Sequence, residues 1–243
     1  MKTVGIIPAR YKSTRFPGKP LALIAGTPMI VHVAKIVSEA LGQEHTYVAT
    51  DDERIAETCR QHELQYIMTS EQALTGTDRV WEAAQHIDAD IYVNIQGDEP
   101  FLNPKDICDI VQAKKLAPNA IINACCPINP DTDPNNPNIP KVVMNEQKEL
   151  VYMSRAPIPG SKATNPNTPF LKQVCIYAFN ISELNAFGEF GRKSKLESIE
   201  DIEILRFFEL NRPIQMHTVS SSSLAVDTPE DLQKAESYAA QRQ

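Results

Sequence analysis

The chain alternates between short apolar runs and amphipathic helix patterns through its first half, and this alternation constrains its fold more than any other feature. Strands that alternate with helices form a parallel sheet covered by helices on both faces. We therefore predict an α/β fold with a Rossmann-like sheet. The predicted strands lie at 4–7, 47–50, 64–68 and 91–95, and the predicted helices begin at Pro28, at Asp51 or Asp52, at Thr77 or Asp78, and at Pro104.

The second half departs from this pattern. Residues 127–140 contain five prolines with several Asn and Asp, which predicts a surface loop. The strand-like segments that follow it predict a smaller antiparallel region. Further strands are predicted at 120–126, 141–144, 150–153, 171–179 and 214–219, and further helices at 182–187, 197–210 and 229–240.

Composition excludes several classes of protein. The chain has 243 residues, and its 31 acidic against 24 basic side chains give a net charge of −7, which argues against a nucleic-acid partner. No run approaches the roughly 20 apolar residues that span a bilayer, so we expect no membrane partner. The five cysteines are odd in number and form no C-x-x-C pair, which favours small apolar core residues in a reducing cytoplasm.

Two loops that follow predicted strands contain the residues best suited to bind a ligand, because ligands bind beyond the carboxyl ends of parallel strands. The first loop, 8–20, interleaves Arg10, Arg15 and Lys19 with hydroxyl groups and a glycine. Its cations and backbone N–H groups could hold a polyphosphate, although cations in a surface loop are as often only solvated. The loop lacks the G-x-x-x-x-G-K-S/T pattern of a Walker loop.

The second loop, 96–100, follows a strand apolar enough to be internal to the sheet. Asp98 there could hold a divalent cation against a triphosphate, since Mg²⁺ prefers one or two carboxylates with phosphate oxygens and water. A second carboxylate, Asp227, precedes the predicted helix at Pro229. Asp98 could instead be only a turn former, and Asp227 or Thr228 only a helix cap.

Seven motifs, in one order from the first strand to the last helix, resemble those of a known family. They are P-A-R-Y-x-S-T-R-x-P-G-K-P-L at 8–21, P-M-I-x-H-V at 28–33, A-T-D-D at 49–52, G-T-D-R at 76–79, N-I-Q-G-D-E-P at 94–100, S-R-A-x-I-P at 154–159 and V-D-T-P-E-D-L at 226–232. The chain resembles the CMP-KDO synthetases, the 3-deoxy-manno-octulosonate cytidylyltransferases. The resemblance implies a nucleotidyltransferase fold and Mg²⁺-dependent transfer of CMP from CTP to a keto-sugar acid, for lipopolysaccharide biosynthesis.

The resemblance also implies a role for each loop. Lys19, Asp98 and Asp227 are implied as catalytic, with the two aspartates as magnesium ligands. Residues 127–180 are implied as an inserted substrate and dimerisation region within a single domain of residues 1–243, in a cytoplasmic homodimer. The implied nucleotide-binding residues are Pro8, Ala9, Arg10, Ser13, Arg15, Lys19, Thr75, Gly76, Thr77, Gln96 and Gly97. The implied sugar-binding residues are Arg155, Gln173 and Tyr177, with Glu197, Glu200 and Asp201 as candidate carboxylates.

Departures from the family pattern fall largely in the sugar-facing segments. Where the family has L-K/R-H-x-G-I-Y-x-Y, this chain has Gln173 in place of the histidine; where it has L-E-x-x-E-x-L-E-Q-L-R, Ile204 replaces the glutamine and Asp201 adds a carboxylate. An ammonium on the sugar would suit that added acid. We therefore predict 8-amino-3,8-dideoxy-manno-octulosonate (amino-KDO) as the acceptor, contacted by Glu197, Glu200 or Asp201 from one predicted helix.

Three alternatives stay open at this point. Ordinary KDO is the acceptor if the departures are neutral drift. A sialic acid cytidylyltransferase, or a nucleotidyltransferase that uses another sugar, is a rival enzyme within the fold, but the motifs at 154–159 and 226–232 argue against it. A nucleotide-binding protein without turnover is the alternative of another class, and the presence of both Asp98 and Asp227 argues against it.

Overall fold

A computed structural model describes residues 1–13, 16–130, 132–162, 170–220 and 224–241. The strands are β1 Thr3–Ala9, β2 Leu23–Ile24, β3 Thr27–Pro28, β4 Thr46–Thr50, β5 Gln65–Met68, β6 Ile91–Ile95, β7 Ile121–Pro127, β8 Lys141–Met144, β9 Leu150–Ser154, β10 Leu171–Phe179 and β11 Ile214–Thr218. The helices are α1 Met29–Leu41, α2 Glu53–Gln61, α3 Gly76–Ala84, α4 Pro104–Leu116, α5 Ile181–Gly188, α6 Lys195–Glu200, α7 Ile204–Glu209 and α8 Pro229–Ala240. Short 3₁₀ helices form at Lys19–Leu21 and Gln43–His45.

The main sheet has the strand order β11-β7-β10-β6-β1-β4-β5. Strand β1 pairs parallel with β4 and β6, β4 with β5, and β7 with β11, whereas β10 is antiparallel to both of its neighbours. Strands β8 and β9 form an antiparallel pair attached to β10. The predicted α/β fold is confirmed. The segment 127–180 ends in β10, and its residues Ile176 to Phe179 pair with β6 inside the main sheet.

Helices cover both faces of the sheet, because successive residues of a strand point to opposite sides. Ile7 of β1 packs in the core beneath α1, α2 and α4, whereas Ile6 packs in the core beneath α3, α5 and α7. Helices α3 and α5 pack so closely that a Cβ at Gly188 would lie 1.9 Å from the ring of Trp81. These two cores fix the strand ends from which the candidate site is built.

Two predicted helix boundaries are wrong. Helix α3 begins at Gly76 with Thr75 as its N-cap, because the Thr75 hydroxyl accepts from the Asp78 N–H. The predicted helix 197–210 is divided into α6 and α7 at Asp201, whose φ of 50° is left-handed. The Arg155 guanidinium stabilises this break, because it donates to the carbonyl groups of Glu200 and Asp201 at the end of α6.

Candidate active site

A cleft of about 380 Å³ opens beyond the carboxyl ends of β1 and β6, a size typical of small-molecule sites. Predicted residues from seven separate segments line it together, namely Pro8, Ala9, Arg10, Ser13, Lys19, Thr75, Gly76, Gln96, Gly97, Asp98, Arg155, Gln173, Tyr177, Asp201 and Asp227. Arg15 lies outside the described residues. Thr77 does not line the cleft, because it is buried behind Gly76.

Lys19 joins the two predicted metal ligands. Its Nζ donates to Asp98 Oδ2 at 2.9 Å and to Asp227 Oδ1 at 3.0 Å. Burial alone would lower the pKa of Lys19, but the two carboxylates outweigh it and raise the pKa above its ordinary value of 10.5. Lys19 is therefore a firmly protonated cation that brings two carboxylates, distant in sequence, to one point.

Local structure explains why these three side chains meet. Gly18 precedes the 3₁₀ helix with a left-handed φ of 72°, and its N–H donates to Tyr11 O at 2.9 Å, which turns the first loop back toward the sheet. Thr228 is the N-cap of α8, so Asp227 does not cap that helix. The Val226 N–H donates to Asp98 O at 2.9 Å and ties the two aspartate loops together.

This donor set fits a magnesium ion bound with a nucleotide. The two carboxylates already converge on a single cationic atom, and Mg²⁺ in phosphate-binding sites takes one or two carboxylates and completes its shell with phosphate and water. Among the described residues, no group of three or more His, Cys, Asp or Glu side chains is placed to hold a metal. Asp98 and Asp227 would therefore depend on the nucleotide for the remaining ligands.

The start of α3 forms the next wall. The N–H groups of Gly76 and Thr77 donate to the Glu203 carboxylate at 3.0 and 2.8 Å, and the Thr77 hydroxyl donates to it at 2.6 Å. Burial raises the pKa of Glu203, against the lowering effect of these hydrogen bonds. A Cβ on Gly76 would lie 2.9 Å from Gln96 Nε2, so glycine lets α3 approach β6 closely.

The wall opposite the first loop is built by β9 and β10. Arg155 donates to three backbone carbonyls, those of Pro137 at 2.7 Å, Asp201 at 2.8 Å, and Glu200. Gln173 Nε2 donates to Tyr177 Oη and to Asn123 Oδ1, both at 3.1 Å. Burial raises the pKa of Tyr177 well above its ordinary value, so its hydroxyl stays protonated.

Comparison with known proteins assigns this architecture to a family. The cytidylyltransferase family model matches residues 4–215. The 3-deoxy-manno-octulosonate cytidylyltransferase of Parabacteroides distasonis is 42% identical over 100% of both chains. The chain belongs to the 3-deoxy-manno-octulosonate cytidylyltransferase family.

Two further members of this family bear on the site. A structure of CMP:2-keto-3-deoxy-manno-octonic acid synthetase complexed with CTP has a TM-score of 0.92 and 35% identity, with 100% of both chains covered. The 8-amino-3,8-dideoxy-manno-octulosonate cytidylyltransferase of Shewanella frigidimarina is 37% identical over 97% of this chain and 98% of its own. Within the described residues, no helix is long and apolar enough to cross a membrane.

Two of the three predicted sugar-contacting carboxylates do not line the cleft. Glu197 is 1% exposed and forms a buried ion pair with Arg206, which also binds Asp78 at 2.7 Å and stacks over the ring of Phe187. The prediction for Glu197 is wrong, because helix α6 turns this side chain toward the core. The prediction for Glu200 is wrong for another reason. Its carboxylate already accepts hydrogen bonds from β9 and from the residue that follows this strand. Its donors are Ser154 Oγ at 2.6 Å, the Arg155 N–H at 2.9 Å and Tyr152 Oη at 3.3 Å.

Asp201 is the one predicted carboxylate of these three that lines the cleft. Its left-handed backbone turns it away from the α6 face that Glu197 occupies. Lys193 donates to Asp201 Oδ1 at 3.1 Å, and Arg155 Nη2 lies 3.9 Å from Asp201 Oδ2. The Asp201 carboxylate therefore already has a cationic partner.

Sequence reasoning does not assign the charged cleft residues Glu203, Lys193 and Arg79 to the site. Glu203 occupies the glutamate position of the family pattern directly before Ile204, which replaces the family glutamine. That match is the sequence signal that could have assigned Glu203 to the site. Arg79 belongs to the G-T-D-R motif, and its guanidinium binds Asp51 of the A-T-D-D motif at 3.0 Å. Lys193 has no motif of its own, and only the fold brings it to Asp201.

Proposed function

We propose that this protein transfers CMP from CTP to the anomeric hydroxyl of a 3-deoxy-octulosonic acid and releases pyrophosphate, for lipopolysaccharide biosynthesis. The carrying observation is the bridge from Lys19 to Asp98 and Asp227, which lies where the first loop, the end of β6 and the start of α8 meet. Phosphoryl-type transfer asks little covalent chemistry of a protein beyond alignment and charge compensation. Lys19, a cation held between two carboxylates in the cleft, supplies the charge compensation.

The chain's own residues divide the work between two walls. Arg10 and Lys19 compensate the triphosphate charge, and Pro8, Ala9, Gln96 and the start of α3 hold the nucleoside. On the opposite wall, Arg155, Gln173 and Tyr177 orient the sugar acid so that its anomeric oxygen faces the α-phosphorus. Holding the two substrates in line converts a bimolecular reaction into an effectively unimolecular one.

Asp98 and Asp227 would hold magnesium during turnover. When bound, magnesium would supply charge compensation for the leaving pyrophosphate and would make the attacking hydroxyl more acidic. Binding of one metal by both carboxylates would require the Lys19 ammonium to leave its present position between them. Lys19 would then contact phosphate oxygens in place of carboxylate oxygens.

The acceptor that the site supports best is KDO itself. Asp201, the remaining predicted partner for a sugar amine, is paired with Lys193, so an ammonium at carbon 8 would have to displace an existing cation. Amino-KDO is the second candidate, and the acid of Asp201 in the cleft together with Gln173 in place of the family histidine favours it. A cytoplasmic homodimer, with residues 127–180 at the subunit contact, stays a prediction from the resemblance.

The test is pyrophosphate release from CTP with KDO and amino-KDO side by side, with and without Mg²⁺. Release with either sugar and none without sugar supports the proposal, and the ratio of the two kcat/KM values assigns the acceptor. Omission of sugar and replacement of CTP by UTP are the controls. Sugar-independent hydrolysis of CTP, or no release with either acid, refutes the proposal.

A further inference from the structure

An irregularity in the sheet lies directly beneath the sugar-facing wall. The pairing of β10 with β7 runs from Val174 opposite Ala124 to Tyr177 opposite Asn123, so β10 carries two extra residues at this point. Such a bulge leaves carbonyl groups without ladder partners. The Asn123 side chain supplies the missing donors, because its Nδ2 donates to Val174 O at 3.1 Å and to Ile176 O at 3.0 Å.

These two bonds fix the orientation of the Asn123 side chain. A carbonyl oxygen can only accept, so the amide nitrogen of Asn123 must face the bulge. The opposite orientation would place Asn123 Oδ1 against two other oxygens inside a fully buried site. Asn123 Oδ1 is therefore turned toward Gln173.

The orientation of the Asn123 amide also fixes the orientation of the Gln173 amide. Asn123 Oδ1 can only accept, so Gln173 must present Nε2 to it, at 3.1 Å. The second N–H of the same amide donates to Tyr177 Oη at 3.1 Å. Both amide hydrogens of Gln173 are thus used within the protein. Its oxygen, Oε1, is the remaining polar atom of a side chain that lines the cleft.

We propose that Asn123 is a positioning residue that orients the Gln173 amide with Oε1 toward the substrate, so that this wall selects a sugar group that donates a hydrogen. This inference rests on the proposed function and adds the polarity of one contact. A hydroxyl or an ammonium satisfies Oε1, whereas a carboxylate, an ether oxygen or a fluorine does not. The histidine of the family pattern could offer either polarity through its two tautomers, and Gln173 on this support offers one.

A sugar group that cannot donate to Gln173 Oε1 should lower kcat/KM by a measurable factor. A buried polar atom left without its partner costs discrimination of tenfold to a hundredfold or more in sites built to bind a hydroxyl. Asn123 reaches the sugar only through Gln173, although it also binds the bulge. Once Gln173 is removed, removal of Asn123 as well should therefore cost no further selectivity at this contact. A residue with a merely structural role would instead lower activity additively and would raise the KM for CTP as well.

The experiment combines substrate analogues with a double-mutant cycle. KDO analogues in which each hydroxyl except the anomeric one is replaced in turn by fluorine are compared with KDO on the unmodified protein and on Gln173→Met, Asn123→Ser and the double variant. We expect one fluorine position to lower kcat/KM at least tenfold on the unmodified protein, and this penalty to fall below threefold in Gln173→Met. Asn123→Ser should raise the sugar KM at least tenfold with the CTP KM within twofold, and the double variant should match Gln173→Met.

Controls separate the possible failures. Ile121→Val removes a buried methyl group from the same strand at a position that pairs with Ile214 of β11 and not with Gln173, so it should leave the fluorine penalty intact. If Asn123→Ser does not fold by circular dichroism, the comparison of the unmodified protein with Gln173→Met alone decides. A penalty at every position that Gln173→Met does not relieve, or additive losses, overturns the inference while the proposed function stands. No turnover of KDO or amino-KDO by the unmodified protein overturns the proposed function, and the inference with it.

Discussion

Replacement of Lys19 by methionine tests the centre of the site, because it keeps a long unbranched side chain but removes the ammonium with its charge and its hydrogen-bond donors. In the structure, Nζ makes charge-assisted bonds of 2.9 and 3.0 Å to Asp98 and Asp227. Such bonds are typically worth about 1.5–3 kcal/mol each when buried. Here the three side chains are 17%, 25% and 29% exposed, so solvent screening reduces the net loss to about 1–2 kcal/mol.

This loss should be visible in thermal unfolding. For a chain of this size 1 kcal/mol corresponds to about 2–4 °C, so Lys19→Met should melt about 2–8 °C lower in metal-free buffer. Millimolar Mg²⁺ should return part of that stability, because the variant no longer holds the Lys19 ammonium between the two carboxylates. In the unmodified protein Lys19 competes for the same oxygens, so Mg²⁺ alone should have a smaller effect. Turnover should fall roughly 10²-fold or more in kcat/KM for CTP.

Lys12→Met is the matched control, since Lys12 lies in the same loop but pairs with the single exposed carboxylate of Glu71. Its melting temperature, its response to Mg²⁺ and its kcat/KM should stay those of the unmodified protein. Equal Mg²⁺ responses in both variants, or a less than threefold loss of kcat/KM in Lys19→Met, would refute the assignment of Lys19 to the phosphates.

Three further predictions address other parts of the molecule. Asp98→Asn and Asp227→Asn should each abolish Mg²⁺-dependent pyrophosphate release while circular dichroism stays unchanged; near-parental turnover by both would contradict the metal assignment. Burial raises the pKa of Glu203 in the folded state, so the free energy of unfolding should fall as pH rises from the ordinary value of 4.5 through the raised pKa. Urea titrations across that range should show a flatter pH profile for Glu203→Gln. The same slope in both proteins would argue against a raised pKa of Glu203. Gly188→Ala should lower the free energy of unfolding by about 3 kcal/mol, since the added carbon lies within the ring of Trp81, whereas Gly160→Ala meets no described atom within 4 Å and should have no effect in chemical denaturation.

The sequence predicts those features that depend on local pattern. Helix α4 begins at Pro104 as predicted, since proline is favoured at the first position of a helix and Asn103 caps it. The position of Asp98 also followed from local pattern, since an apolar run ending in a polar loop marks the end of an internal strand. In the same way, Arg10, Lys19 and Gln96 were predicted to lie in loops at one edge of the sheet.

Features fixed by contacts between distant segments were not predicted. The break at Asp201 depends on Arg155, 46 residues earlier, which binds the carbonyls that an uninterrupted helix would use internally. Periodicity alone therefore placed Glu197 and Asp201 on one face. Glu203 escaped notice because its role depends on N–H groups at the start of α3, more than 120 residues away.

The attachment of α7 to α3 also limits how this protein can be redesigned. Glu203 holds the N–H groups of Gly76 and Thr77, and Arg206, one turn later, holds Asp78. Exchange of the 195–210 segment for that of a relative, as a route to a new acceptor sugar, would therefore also rebuild the nucleotide wall. A chimera that carries the first turn of α3 together with α6 and α7 keeps both partners of these bonds, so the two stretches should be exchanged together.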